Sequence, residues 1–416
     1  MDWPSWQDII NAKLKSLEGA CTWNLVEHPN GMNVIGCKWV FKIKCNANGE
    51  IEKYKAQLVA KSYSQIQAID YDKTYVPIAR LASLCTVLTI AARNNWDIEV
   101  FDFHSVFLNG KLGNGEDIYM ELPEGYTMSI DLVHPVTKLN VMFYGSKQGA
   151  LRWYQELSST LDELGLKCVH ADWGIFYGWI GHDILVLASH VNDCTVTGSS
   201  PKLIRSFKVE IGSHYKITDL GPISWLLGMK VACNRDACTI SLSQQAYIEA
   251  ILTKYNLATC KPAPVPMDPG LKISHNQSPQ SAEEIGCMKS VPYRAMVGSL
   301  MHLAVGTRPD IAFAVSTVAQ FNNVPGEPHW EAVKQIYRYL SGTKSFALTF
   351  GGVEKGLEGY TDADGASQEH RRAISGYAYL LDGGAVSWAS RKQELVMLST
   401  AEAKYVTAAK EGLWLR

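Results

Sequence analysis

At 416 residues the chain exceeds one ordinary domain, and two to three are expected at about 150 residues each. A hydrophobic fraction of 47% against 19% charged residues is that of a soluble globular protein, and a formal net charge of −2 excludes a global attraction to nucleic acid or anionic membrane, so a polyanionic partner needs a local patch. The ten cysteines lack zinc-finger spacing, Met1-Asp2-Trp3-Pro4 opens no signal peptide, and no apolar run reaches the roughly 18 residues of a membrane span; an intracellular chain, cytoplasmic or nuclear, with reduced thiols is expected.

Trp6, Ile9, Ile10, Leu14 and Leu17 fall at helical spacing and predict a helix over 5–17. Residues 34–44 and 51–60 alternate around Asn46-Ala47-Asn48-Gly49, which predicts a hairpin. On it Lys38, Lys42, Lys44, Lys53, Lys55 and Lys61 outnumber Glu50 and Glu52, so its face is either simply solvated or set to meet phosphates. Leu84, Val87, Leu88 and Ala91 predict a helix over 81–94. The period-two stretch Asp97-Ile98-Glu99-Val100-Phe101-Asp102-Phe103 is a strand ending in an acid; Asp102 is either a cap for the turn that follows or half of a metal site.

Residues 157–164 continue as an amphipathic helix, and the apolar run Ile184-Leu185-Val186-Leu187-Ala188 then leads into the polar His190-Val191-Asn192-Asp193 and on to Thr195-Val196-Thr197. This predicts two buried strands with the Asn-Asp pair at the tip of a tight turn. If the strand ending in Asp102 neighbours them, two acidic strand ends make a divalent-cation site. A helix over 201–213 and a strand within 219–228 follow. Pro262, Pro264, Pro266, Pro269, Pro279 and Pro292 among polar residues read as a linker. Helices over 293–303, 309–321 and 330–340 come next, then strands 348–350, 357–362, 374–381 and 385–388, and a helix from Thr400.

Several phrases together resemble the reverse transcriptase region of copia-type retrotransposon polyproteins. Lys38-Trp39-Val40-Phe41-Lys42 and Lys55-Ala56-Gln57-Leu58-Val59-Ala60-Lys61-Ser62 are similar to the family's Lys-Trp-Val-Phe-Lys and Lys-Ala-Arg-Leu-Val-Ala-Lys-Gly, with Gln57 at the Arg. Tyr144-Gly145-Ser146-Lys147-Gln148 and Trp153 resemble its Tyr-Gly-Leu-Lys-Gln…Trp phrase, with Ala150 and Leu151 at its Pro and Arg. Thr307-Arg308-Pro309-Asp310-Ile311 is also copia-like. His190-Val191-Asn192-Asp193 stands where the family reads Tyr-Val-Asp-Asp, and Thr361-Asp362-Ala363-Asp364 and Leu398-Ser399-Thr400-Ala401-Glu402-Ala403-Lys404-Tyr405 resemble the opening of its ribonuclease H domain.

The resemblance implies an α+β chain: a right-hand polymerase fold with fingers and palm over 1–258, a linker over 259–292 and a helical thumb or connection over 293–343, followed by a truncated ribonuclease H-like α/β domain over 344–416. It implies RNA-directed DNA polymerase activity with two Mg2+ ions, an RNA template, a DNA primer and deoxynucleoside triphosphates. Asp102, Asn192 and Asp193 then take the catalytic positions, with Asp102 and Asp193 on the metal. Phe103, Phe107, Gln148, Lys55 and Lys61 attend the nucleotide, Lys38, Lys42 and Lys53 the nucleic acid, and Asp362 and Glu402 remain from the ribonuclease H site.

The departures carry the chemistry. Two magnesium ions serve an in-line displacement at phosphorus only when carboxylates converge on them. Asn192 brings an oxygen but no charge, and removing a unit charge about 4 Å from a cation forfeits on the order of 4 kcal/mol at an effective dielectric of about 20. That is roughly a thousandfold in occupancy or rate, so a folded but impaired site is expected. Gln57 cannot supply the charged fork of an arginine. Aligning the last helix by its apolar residues puts the catalytic Glu at Lys404, with Glu402 as the other register; a lysine there repels metal. The second reading is a non-catalytic remnant or a retained nucleic-acid-binding protein.

Overall fold

The computed structural model describes residues 3–45, 51–67, 70–110, 112–113, 116–127, 132–363, 372–394 and 399–415. The expected hairpin turn at 46–49, Asp364 and Leu398 lie outside these. The first third holds α1 (Trp3–Gly19), β1 (Trp23–Glu27), β2 (Val34–Ile35), β3 (Cys37–Cys45), β4 (Ile51–Ala60), α2 (Leu81–Arg93), β5 (Asp97–Phe103), α3 (Val106–Asn109), β6 (Tyr119–Met120) and β7 (Pro135–Leu139). Next come α4 (Gly149–Glu163), β8 (Lys167–Val169), β9 (Asp172–Ile180), β10 (Asp183–His190), β11 (Asp193–Gly198), α5 (Pro201–His214), β12 (Ile217–Pro222), β13 (Trp225–Leu226), β14 (Met229–Asn234), β15 (Thr239–Ser243) and α6 (Gln245–Lys254). The remainder is α7 (Ala282–Lys289), α8 (Tyr293–Gly306), α9 (Ala312–Ala319), α10 (Glu327–Gly342), β16 (Leu348–Gly351), β17 (Leu357–Ala363), β18 (Ile374–Leu381), β19 (Gly384–Lys392) and α11 (Thr400–Leu415).

Two compact units result, one from residues 1–79, 100–196 and 204–220, the other from 80–99, 197–203 and 221–416. In the first, α1 buries Trp6, Ile10, Leu14 and Leu17, the face its spacing dictates. The Trp6 ring meets Phe41 and Tyr54 edge-on, with centroids 4.8 and 4.9 Å away. In β3 and β4 the pairs Trp39–Leu58, Phe41–Ala56 and Ile43–Tyr54 alternate with Lys38–Val59, Val40–Gln57 and Lys42–Lys55, so the lysines share the opposite face. The expected single strand over 34–44 is broken at Gly36: β2 pairs in parallel with β6 and β3 begins at Cys37. A Cβ at Gly36 would meet Lys61 Cδ at 3.0 Å and Glu121 Oε2 at 3.1 Å, a tightness that glycine avoids.

The largest sheet has strand order β12-β5-β11-β10-β9-β8. On its helix-covered face Phe101 faces Phe207 of α5, and Phe103 faces Trp153 of α4 at 5.1 Å. Phe176, Leu185, Leu157, Leu161, Ile204 and Ile211 are buried. Strands β8 and β9 are not among the sequence expectations, because Gly174 and Gly178 interrupt the alternation. A Cβ at Gly178 would stand 2.4 Å from the Gly165 carbonyl oxygen, so the glycine marks a close backbone approach.

In the second unit, α6, α8, α9 and α10 enclose Val297, Leu300, Leu303, Val315, Val318, Val333, Ile336 and Leu340. The helix expected over 309–321 is a 3-10 turn, Pro309–Ile311, followed by α9. Residues 259–292, expected as linker, carry a 3-10 turn at His275–Gln277 and the helix α7. Ser281 Oγ accepts from the Glu284 amide while the Glu284 carboxylate accepts from the Ser281 amide, a reciprocal cap that starts α7 despite the prolines. Ala263 donates to the Arg338 carbonyl at 3.2 Å, pinning this segment to α10. The strands β17-β18-β19 form an antiparallel sheet, and Tyr379 donates to the Ala408 carbonyl of α11 at 3.0 Å. Among the described residues no helix is long and apolar enough to cross a membrane.

Candidate active site

Alternation along β5 puts Phe101 and Phe103 into the core and Asp102 on the other face. Strand β11 neighbours β5, and β10 returns beside it, so Val191 and Asn192 form the turn between His190 and Asp193. Val191 carries φ +63°, a left-handed conformation that a β-branched residue adopts only under constraint. Part of that constraint is the Trp153 indole N–H, which donates to the Val191 carbonyl at 2.9 Å. The Phe103 amide donates to the Asn192 carbonyl at 3.0 Å and ties the turn to β5.

The sequence expectation of convergence is met in space. Asn192 Nδ2 donates to Asp102 Oδ1 at 2.6 Å, a charge-assisted bond in a half-buried setting. The Asp193 carboxyl is raised above its ordinary range, first by the protein around it and then by the neighbouring Asp102 charge, with His190 acting in the opposite sense. Cys194, immediately behind, is buried and its thiol is pushed up to about 12. Tyr144 stands on the other side, its phenol raised by burial, bonded to Ser105 and affected by Asp102. Tyr144 was legible only as part of a phrase, with no sign that it would face Asp102.

Magnesium is held through carboxylate oxygens in near-ideal octahedral geometry. Here an amide presents N–H, not oxygen, to Asp102, and among the described residues no three His, Cys, Asp or Glu side chains gather where they could hold a metal ion. Two carboxylates, one of them already bonded to that amide, are a poor donor set for a pair of magnesium ions.

The other expected positions divide. Phe107 is half-buried and packs edge-on against Tyr144 at 5.2 Å, beside the site. Phe103, expected at the nucleotide, is instead a core ring among Phe101, Trp153 and Tyr215, because it points to the opposite face from Asp102. Gln148 is 1% exposed; its amide donates to the Asp70 carbonyl at 2.7 Å and accepts from Gln65 Nε2 at 3.1 Å. Gln65, which sequence reasoning missed, also accepts from the Lys147 amide at 2.8 Å. Lys38, Lys42 and Lys55 are exposed on one hairpin face, with Lys42 directly opposite Lys55. The Lys53 side chain lies outside the described residues, and Lys61 is half-buried beside Gly36. In the second unit Asp362 caps its strand end by accepting from the Ala363 amide, and Lys404 Nζ lies 3.4 Å from its carboxylate. Glu402, two residues before Lys404 on α11 and so on a different side of the helix, is exposed.

Comparison with known proteins agrees with the sequence phrases. A family model described as reverse transcriptase (RNA-dependent DNA polymerase) matches residues 20–269. The retrovirus-related Pol polyprotein from transposon TNT 1-94 of Nicotiana tabacum is 39% identical over 412 residues, covering 98% of this chain and 31% of the relative. The putative transposon Ty5-1 protein of Saccharomyces cerevisiae is 30% identical over 315 residues, covering 74% of this chain and 98% of the relative. Among solved structures, a foamy viral protease-reverse transcriptase in complex with double-stranded DNA aligns with a TM-score of 0.45 at 12% identity, covering 99% of this chain and 59% of that one. The chain spans about a third of the length of the tobacco polyprotein. It belongs to the reverse transcriptase (RNA-dependent DNA polymerase) family and, within it, to the copia-type retrotransposon Pol polyproteins.

Proposed function

We propose that this chain is the template-primer-binding polymerase region of a copia-type element whose nucleotide addition is impaired at the hairpin tip. Family membership supports a right-hand arrangement with fingers and palm in 1–258, a helical thumb or connection in 293–343 and a ribonuclease H-like portion in 344–416. The lysine face of β3 and β4 is the surface offered to nucleic-acid phosphates, since Lys38, Lys42 and Lys55 point the same way with the apolar face turned to α1. RNA template, DNA primer and deoxynucleoside triphosphates are the partners that this reading assigns.

The observation that carries the impairment is the 2.6 Å bond from the Asn192 amide to Asp102. It takes an oxygen that an intact member would give to Mg2+ and leaves the site one charge short. Intact, the ions would supply charge stabilisation for an in-line displacement at phosphorus. This chain's residues supply the frame: β5 and the hairpin hold Asp102 and Asp193 together, and Trp153 fixes the turn. The second reading, a chain with no residual catalysis, is favoured by Lys404 standing against Asp362, where an acid would be needed.

Primer extension on an RNA template with Mg2+ or Mn2+ tests this. The chain as it stands should extend weakly or not at all, and Asn192→Asp should gain up to roughly a thousandfold. Equal extension by both proteins would refute the role given to Asn192, and none by either would favour the second reading. Duplex affinity should fall steeply with salt and weaken when Lys38, Lys42 and Lys55 become Gln; salt-independent binding would remove the hairpin as the contact surface.

A further inference from the structure

Strand β9 carries aromatic side chains that neither the core nor the hairpin site uses. Phe176 points to the helix-covered face, with its ring 6.3 Å from Tyr154 of α4, so Trp173, Tyr177 and Trp179 stand on the opposite face. They are 54%, 38% and 64% exposed. Asp102 shares that face, since Phe101 and Phe103 on either side of it pack against Phe207 and Trp153. Three strand spacings separate β5 from β9, roughly 14 Å across the sheet from Asp102; Trp173 stands near the hairpin-turn end of β9, and Trp179 lies about 20 Å further along it, facing Ile184.

The spacing and surroundings of the rings fit unpaired bases. Tyr177 and Trp179 are two residues apart, about 6.8 Å along an extended strand. That is twice the roughly 3.4 Å rise between stacked bases, so one planar base fits between the rings. Across the sheet Ile184 faces Trp179 and Val186 faces Tyr177, giving an apolar floor. On the outer side Lys167 pairs with Tyr177 and is exposed. Asp183 pairs with Ile180 and so points to the other face. The cross-strand partner of Tyr177 on β8 is thus a cation, while the carboxylate of the cleft that Tyr177 and Lys167 line, Asp162, comes from α4. Rings beside a positive group are the composition of a single-strand stacking platform, in which every base offers a π-face.

We propose that Trp173, Tyr177 and Trp179 bind single-stranded nucleic acid by stacking, as a surface for unpaired template that runs along β9 on the face shared with Asp102. The inference rests on the nucleic-acid reading above but uses a different surface from the lysine hairpin. Its test is a titration of the full chain with an unstructured oligothymidylate and, separately, with a blunt duplex, followed by tryptophan fluorescence. The wild-type chain should show quenching by the oligothymidylate. Trp173→Ala and Trp179→Ala should each lose about tenfold in single-strand affinity, with the double variant losing more, Trp179→Phe retaining most of it and duplex affinity unchanged. Because these side chains are exposed, the variants should unfold at the wild-type temperature.

Unchanged single-strand affinity in the double variant, or no single-strand binding by the wild type, overturns the proposal, while retained duplex binding would leave the hairpin reading standing. A self-association that the double variant abolishes, with oligothymidylate affinity untouched, would assign the face to a second copy of the chain and equally overturn it. Loss of duplex binding in the lysine variants with the stacking effect intact would separate the two surfaces and support both.

Discussion

The hairpin tip and the sheet formed by β17 to β19 present the same substitution in two settings. At each, a strand-end acid has a hydrogen-bond donor where the family phrase has another acid: Asn192 beside Asp102, Lys404 beside Asp362. The Asn192 amide is neutral and half-buried, and it sits in a turn held by the Trp153 indole and the Phe103 amide. The Lys404 ammonium is fully charged, but its side chain and that of Asp362 are 59% and 81% exposed. A donor fixed in a constrained turn alters its acid permanently, whereas an exposed ion pair competes with water and dissolved salt. Setting, more than charge, decides how much each replacement matters.

The largest effect should come from Asn192→Asp. Without divalent cations the third carboxylate adds repulsion to an already crowded pair and should lower the thermal unfolding temperature; millimolar Mg2+ should then raise it, with cation affinity gained on the order of a thousandfold. If Mg2+ shifts the wild type and the variant equally, the contrast between the two regions fails. Next, Trp153→Phe removes the donor to the Val191 carbonyl and should cost about 1–3 kcal/mol in urea unfolding. Val191→Asn works in reverse: Asn tolerates the left-handed region, and the hairpin should gain about 1 kcal/mol, read by the same denaturation midpoint.

Asp193→Asn sharpens the electrostatic side. The folded carboxyl is raised, so its contribution to stability is present below the ordinary carboxylate value and is lost as pH rises through the folded one. The variant should therefore melt higher than wild type at neutral pH, with the gap closing on acidification; a pH-independent gap would show that charge is not its cause. The smallest effect is expected of Lys404→Gln, which should leave the melting temperature unchanged. Asp362 is held below its ordinary range first by the Ala363 amide and then by Lys404, so its contribution is present above the ordinary value and lost as pH falls through the folded one. Its carboxyl should move part of the way back in an NMR titration of the variant, and no movement would remove Lys404 as a neighbour in solution.

Much of this site was legible because strong periodicity surrounds it. The run from Ile184 to Ala188 ends abruptly in polar residues, and Asp97–Phe103 alternates cleanly, so a hairpin with acids at the strand ends followed from pattern alone. The side on which a ring lands was not legible from a family position: Phe103 has the opposite parity from Asp102 and enters the core. Residues 167–180 gave no strand signal because Gly174 and Gly178 serve close backbone approaches, and with the strand went any view of its exposed aromatic face. At α7 the prolines outweighed a local cue, since Ser281 and Glu284 stand at the spacing of a reciprocal cap. The half-buried setting of Asn192 depends on Trp153, 39 positions away in sequence, and no local pattern encodes that meeting.

The buried amide pair of Gln65 and Gln148 constrains how copies of such an element can drift. Each is the other's partner, and Gln148 also serves the Asp70 carbonyl while Gln65 serves the Lys147 amide. A change at one position strands donors and acceptors at the other, out of reach of water. Within the family these two sites should therefore change as a couple, and a substitution at only one of them should lower the unfolding temperature.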